Sequence, residues 1–243
     1  MRLAAFIAAV FWAGAAIATP PNQILRAEFI EPTERYDHGV LGDAIEWGAM
    51  RVTFDACPGC DGARQIRQTI IRLPESRVFE DLAPRIIHDE FGLTAIMVVE
   101  TDLRLGARLA IYSEDRLYHA TPFIGQAHRW LAPIGAADLD GDGVPEIAYV
   151  EKPHLSKVLK VWRFTEAGLA LVAEKSGLTN HRIGEDYISG GIRDCGAGPE
   201  MVTADGNWRY VMATRFDGKR LVSRIVAPFR GRASMDSVLA CET

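Results

Sequence analysis

An alternating run of acids carries the clearest chemical signal in the chain. Four carboxylates stand at positions 1, 3, 5 and 9 of one segment, with glycine at position 6: Asp138, Asp140, Asp142 and Glu146. Ca²⁺ takes about six to eight oxygen ligands, and alternate residues of a tightly wound loop direct their oxygens to one point. We therefore predict one calcium site, made of these four acids and the backbone carbonyl of Val144. Mg²⁺ fits less well because it prefers a smaller, strictly octahedral site.

The same segment is not an EF-hand. An EF-hand loop carries Glu at position 12 and has a helix on each side. Position 12 is Tyr149, and both flanks consist of apolar, strand-like residues. The alternative to a metal site is a solvated Asp/Gly hairpin with no bound ion.

The four cysteines form two groups. Cys57 and Cys60 have the spacing of a redox pair, but an Asp-Gly step follows at once and the βαβ order of a thioredoxin is missing. We expect a disulfide across a hairpin tip, with thiol–disulfide chemistry as the alternative. Cys195 and Cys241 are expected to form a second disulfide that holds the C-terminal tail.

Short strands are the elements that must position these residues. Runs of about five to nine residues rich in β-branched and aromatic side chains alternate with Gly, Asp, Pro or Asn. Examples are 24–30, 95–100, 108–112, 146–150, 158–164, 169–173, 210–216 and 221–226. No long segment has a convincing helical period, so the sequence predicts an all-β fold.

Similar segments recur at intervals of about fifty residues. Residues 82–89 and 95–100 align with 131–138 and 146–151, a further copy contains 191–194 and 199–202, and a degenerate first copy begins near His38. Such units favour the blades of a β-propeller over an antiparallel sandwich, which gives no reason for the period. We predict a small propeller of four or five blades with short antiparallel sheets, as a single domain over residues 19–243.

The Asp-x-Asp-x-Asp-Gly-x-x-Glu loop between two strands resembles the FG-GAP repeats of integrin α-subunit N-terminal propellers and the related bacterial VCBS-type repeats. The resemblance implies a propeller with Ca²⁺ in the hairpin between the first two strands of a blade. The equivalent segments 88–92 and 194–198 keep only part of the acid set. We therefore expect one calcium site in the chain.

The histidines are the remaining candidates for chemistry. His38, His128 and His181 recur near unit starts, which would place them around one mouth of a ring. Structural hydrogen bonding is the plainer interpretation. Because no nucleophile elbow, HExxH motif or phosphate loop is present, we assign no catalytic residue. The enzyme alternative is a periplasmic hydrolase or lyase with its site near His38, Asp43, His181 and Glu185.

Residues 1–18 have the pattern of a secretory signal peptide. One basic residue, an apolar run and a small-x-small ending at Ala18 come before a Thr-Pro-Pro step without stop-transfer charges. We predict cleavage after Ala18 and no membrane span in the mature chain, rather than an N-terminal anchor. The mature protein would be periplasmic or secreted, where disulfides persist.

The charge balance limits the partners. The formal net charge is −5 and no basic stripe is visible, which argues against nucleic acid. The sequence therefore predicts a monomeric, exported calcium-binding propeller. We expect it to act as a non-enzymatic binding or scaffold module for a protein or glycan that the sequence does not identify.

Overall fold

The computed structural model describes residues 21–60, 63–88 and 94–242. The predicted signal peptide, residues 1–18, lies outside these residues. The described chain is all-β, with seventeen strands and one short helix in three antiparallel sheets, none of which is closed. Among the described residues no helix is long and apolar enough to cross a bilayer.

The first sheet holds eight strands. They are β1 Gln23–Thr33, β2 Glu46–Asp55, β3 Ile66–Arg72, β4 Arg77–Phe79, β5 Arg85–His88, β6 Thr94–Asp102, β7 Gly106–Tyr112 and β8 Leu117–Ala120. The short strand β4 joins the two halves, since Trp47 of β2 pairs with Phe79 while β4 also pairs with β6. We expected short sheets. This sheet has eight strands because β4 pairs with β2 on one side and with β6 on the other, and so connects two smaller sets of strands.

The other two sheets follow in chain order. The second contains β9 Leu131–Ala137, β10 Glu146–Glu151, β11 Val158–Thr165 and β12 Gly168–Ser176. The third contains β13 Leu178–Thr179, β14 Gly191–Asp194, β15 Pro199–Asp205, β16 Tyr210–Phe216 and β17 Leu221–Pro228. The helix α1, Arg232–Leu239, closes the described chain.

Three four-stranded meanders repeat along the chain: the first meander is β5–β8, the second is β9–β12 and the third is β14–β17. Their third strands begin at residues 106, 158 and 210, so both intervals are 52 residues (158 − 106 and 210 − 158). Their second strands begin at 94, 146 and 199. Strands β1–β4 do not follow this pattern, since β2 pairs with β1 on one edge and with β3 and β4 on the other.

The hydrophobic core lies between successive sheets. Val99 and Leu109 of the first sheet share one buried cluster with Leu131 and Ile147 of the second. A separate cluster joins the second sheet to the third. Strands β6 and β10 are buried on both faces, as expected for apolar strands with neighbours on each side. Burial of each such side chain contributes about 1.5–3 kcal/mol.

Helix α1 was not predicted from the sequence. It buries Met235 and Val238, which are three residues apart and therefore lie on one helix face, against the third sheet. Eight residues give too short a window for the helical period to stand out. Cys241 follows the helix by two residues.

Candidate functional site

The acid loop, residues 138–146, connects β9 to β10, so strands flank it on both sides as the sequence indicates. The carboxylate of Asp138 accepts the backbone N–H groups of Gly141, Asp142 and Gly143 at 2.8, 3.1 and 2.9 Å. Gly141 and Gly143 have φ values of 82° and 88°, a conformation that favours glycine. The loop is therefore wound around Asp138.

Three of the four predicted carboxylate ligands converge. One oxygen from each of Asp138, Asp140 and Glu146 lies within 4.8 Å of the others. The Glu146 side chain is fully buried. The backbone N–H of Leu139 donates to Glu146 Oε2 at 2.8 Å. An all-oxygen set of this kind suits a hard cation such as Ca²⁺.

The other two predicted ligands are placed differently. The carboxylate of Asp142 is not part of the converging group, accepts the N–H of Val144 at 2.9 Å, and belongs to a side chain that is 42% exposed. Val144, whose carbonyl completes the predicted ligand set, lines a cavity with its neighbours Gly143 and Pro145. A cation at the converging group would have to draw Asp142 inward to use all four acids.

Arg163 of β11 is a member of this site that sequence reasoning missed. Its guanidinium contacts Asp140, lies 3.0 Å from Asp142 Oδ2, and donates to Glu146 Oε1 at 2.6 Å. Arg163 stands directly opposite Glu146 in the β10–β11 register, a relation that becomes visible only when the strands are paired. With the four acids ionised, the site carries four negative charges and one positive, a net charge of −3. Burial raises the pKa of Glu146, and the N–H of Leu139 and Arg163 oppose that shift.

The third meander has a similar arrangement with the opposite charge balance. Glu200 of β15 is 2% exposed and receives hydrogen bonds from three guanidinium groups: Arg193, Arg215 and Arg224. One negative and three positive charges give this group a net charge of +2. The hydrogen bond from Arg224 is the main reason that the pKa of Glu200 falls to about 2. Of these two groups, the acid loop of the second meander alone keeps negative charge for a cation.

A cavity of about 740 Å³ lies beside the acid loop, between the first and second sheets. Its apolar wall includes Ile87, Ile111, Ala136, Val144 and Phe164, and its rim includes Glu114 and Arg116. This volume falls in the usual range for small-ligand sites. The acid loop thus forms part of the wall of a ligand-sized cavity through Gly143, Val144 and Pro145.

Both cysteine pairs lie at disulfide distance. Cys57 and Cys60, with Cα atoms 5.5 Å apart, are at the tip between β2 and β3, where Asp55 accepts the N–H of Cys57 at 3.0 Å. The segment is a hairpin tip and not a helix start, which disfavours the redox alternative. Cys195 and Cys241 have Cα atoms 5.8 Å apart and connect the third meander to the tail after α1.

The three histidines named from the sequence lie in one cluster, together with His154, which we did not anticipate. The ring centres of His38 and His128 are 5.3 Å apart, and those of His154 and His181 are 5.1 Å apart. His154 Nε2 and His181 Nδ1 lie 2.9 Å apart, at hydrogen-bond distance. His154 belongs to the β10–β11 loop, and no sequence motif marks it.

The side chains of the enzyme alternative do not assemble into an acid–base group. His38 pairs with Glu80 at 2.5 Å, and Asp43 accepts the N–H of Ile45. His181 bonds to the backbone carbonyl of Glu185 and not to its carboxylate. Within the described residues, no hydrogen bond therefore joins the side chain of one of these four residues to the side chain of another.

Comparison of the chain with known protein families, curated proteins and solved structures finds no match. The assignment as an FG-GAP or VCBS-type repeat protein stays a prediction.

Proposed function

We propose that the chain is an exported, calcium-binding propeller-like protein that acts as a non-enzymatic binding module. The observation that carries the proposal is the charge balance of the acid loop, which holds four carboxylates and one guanidinium that contacts three of them. Like charges this close repel one another and favour proton or cation uptake.

Calcium is the cation that this loop suits best. Asp138, Asp140 and Glu146 supply oxygens close enough for one ion, and the backbone carbonyl of Val144 is the predicted neutral ligand. A bound Ca²⁺ would reduce the net charge of the site from −3 to −1, so it relieves the repulsion that Arg163 only partly offsets. The ion would stiffen the loop between β9 and β10.

The propeller-like arrangement draws support from strand spacing and from a contact between distant parts of the chain. The three meanders recur at intervals of 52 residues, and buried clusters connect each sheet to the next. The loop after β1 meets the loop before β14, where the N–H of Gly184 donates to the carbonyl of Val40 at 3.1 Å. A ring of blades would bring these two loops together.

The binding role draws support from the cavity that shares a wall with the acid loop. Its apolar lining and mixed-charge rim suit a side chain of a protein ligand or a glycan that enters between the sheets. Two cysteine pairs at disulfide distance fit an extracellular or periplasmic location. We expect the exported protein to be a monomer.

Calcium titration of the mature protein tests the proposal. We expect calcium to raise the melting temperature, with a stabilisation of about 4 kcal/mol when the ion is present at roughly 1,000 times its Kd. Asp140→Ala should abolish the rise, because it removes one of the converging ligands. The matched control is Asp236→Ala, an exposed acid on helix α1. Identical melting curves in calcium and in chelator would contradict the proposal.

The variant Arg163→Gln distinguishes two possibilities: that the loop binds calcium, and that Arg163 alone neutralises the loop. Without calcium this variant should melt below the wild type, because three carboxylates lose their cationic partner. With calcium it should show a larger rise than the wild type, since the guanidinium no longer competes with the ion. A loss of the same size with and without calcium would indicate that Arg163 takes the place of the ion. Arg104→Gln, which removes the same charge from an exposed residue, is the control.

A further inference from the structure

Strand β3 forms an open edge of the first sheet. It pairs with β2 along its whole length, from Ile66 to Arg72, and the register contains no bulge. Within the described chain it makes no substantial contact with any strand except β2. The other edge strands of similar or greater length, β1, β9, β12 and β17, each lie against further elements as well. An open edge of this kind is a template on which another extended chain can pair.

The backbone groups of β3 point alternately toward β2 and toward the open edge. In an antiparallel pair, residue pairs that exchange hydrogen bonds alternate with pairs that do not. At one end of the ladder the N–H of Ala56 donates to the carbonyl of Gln65 at 2.9 Å. At the other end the N–H of Leu73 donates to the carbonyl of Gly48 at 2.9 Å. The odd-numbered residues of β3 therefore bond to β2, and the outward backbone groups belong to Ile66, Gln68, Ile70 and Arg72.

The same outward residues include two exposed apolar side chains. Ile66 and Ile70 are 51% and 48% exposed. Because side chains alternate along a strand, both lie on the face opposite to the buried Ile71. A strand added at this edge would place its own side chains beside them, where cross-strand apolar pairs stabilise a sheet.

The edge is also basic. Residues 63–73 contain Arg64, Arg67 and Arg72 and no acid, in a chain whose net charge is −5. Arg72 pairs with Glu31, whereas Arg67 is exposed and forms no ion pair among the described residues. A second copy of β3 would place these arginines beside one another, and like charges on neighbouring strands oppose pairing. Acidic side chains on an added strand would instead be attracted.

We propose that the open edge of β3 pairs with an extended, acidic segment of a partner protein. The outward backbone groups supply the hydrogen bonds, and the exposed isoleucines supply apolar contact. The arginines select an acidic partner and disfavour a second copy of the chain. This surface includes no residue of the acid loop or of the large cavity, so its binding requires no calcium.

A synthetic strand tests this surface. The probe is an acetylated heptapeptide amide that alternates glutamate with valine, titrated into the full mature protein in calcium-free buffer. A second peptide carries lysine in place of glutamate, so that it keeps the backbone and reverses the charge. We expect the glutamate peptide to bind at least about tenfold more tightly than the lysine peptide, with an affinity that falls as salt is added.

Two variants separate the backbone from the charge. Gln68→Pro removes an outward N–H and none of the hydrogen bonds to β2, so it should melt close to the wild type and bind the glutamate peptide at least about tenfold more weakly. Arg67→Glu should weaken binding of the glutamate peptide to a similar extent and strengthen that of the lysine peptide. Lys219→Glu, the same change of charge at an exposed turn of the third sheet, should alter neither.

Three results would overturn the proposal. The first is no binding of the glutamate peptide at millimolar concentration, or equal binding of the two peptides. The second is unchanged binding of the glutamate peptide in both Gln68→Pro and Arg67→Glu. The third is a dimer of the protein alone that Gln68→Pro converts to a monomer, since the edge would then pair with a second copy of the chain.

Discussion

Replacing Glu200 by alanine is expected to destabilise the protein by about 3–5 kcal/mol. The carboxylate is 2% exposed and holds Arg193, Arg215 and Arg224 together, so its removal leaves three guanidinium groups in close contact without a counter-charge. Arg193 suffers most because only 5% of its side chain is exposed. Few other single substitutions in the described chain should cost as much.

Urea denaturation at pH 7 measures this effect, with Glu174→Ala on the exposed face of β12 as control. The pH dependence gives an independent check. The pKa of Glu200 is lowered to about 2 from an ordinary value of 4.5, so its stabilisation is present above pH 4.5 and is lost as the pH falls from there toward 2. A loss below about 1 kcal/mol at pH 7 would contradict the buried network, since exposed ion pairs have that value.

Glu46→Gln is expected to stabilise the protein at neutral and alkaline pH. Burial raises the pKa of Glu46 to about 9, and the carboxylates of Glu80, Asp43 and Asp81 add to the shift. The folded protein must therefore take up a proton at pH 7, which the unfolded chain does not hold. Stability is present below pH 4.5 and is lost as the pH rises from there through 9. Glutamine keeps the neutral form at no such cost, a gain of up to about 3 kcal/mol at pH 7.

Urea denaturation of this variant at pH 5 and pH 8 tests the sign. The difference in free energy of unfolding between variant and wild type should be larger at pH 8 than at pH 5, because only the wild type must take up a proton at Glu46 when it folds. Glu166→Gln, at an exposed turn, should show no such trend. A variant that is less stable than the wild type at pH 8, or a difference that does not change with pH, would indicate that Glu46 is ionised and paired in the folded protein.

The sequence was most informative where local chemistry sets the structure. Alternating apolar runs bounded by Gly, Asp and Pro predicted the strands, because side-chain burial and turn geometry are local properties. The acid spacing predicted a ligand set of four carboxylates, of which Asp138, Asp140 and Glu146 converge and Asp142 does not, since the residues belong to one short loop. The hairpin setting of Cys57 and Cys60 likewise follows from the residues around them.

Pairing between distant segments could not be predicted in the same way. Arg163 reaches the acid loop because β11 pairs with β10 in a particular register. His154 meets His181 because two separate loops converge. The strand β4 has only three residues, too few for a periodic pattern, yet it joins two halves of the first sheet. Each of these features depends on tertiary contacts that a single sequence does not display.

Isothermal titration of the purified mature protein with calcium measures ion binding to the acid loop without relying on a change in stability. We expect one ion bound per chain in the wild type and none in Asp140→Ala, since among the described residues the acid loop is the one group of converging carboxylates and its net charge is negative. Absence of binding at millimolar calcium, or unchanged binding in Asp140→Ala, would contradict it.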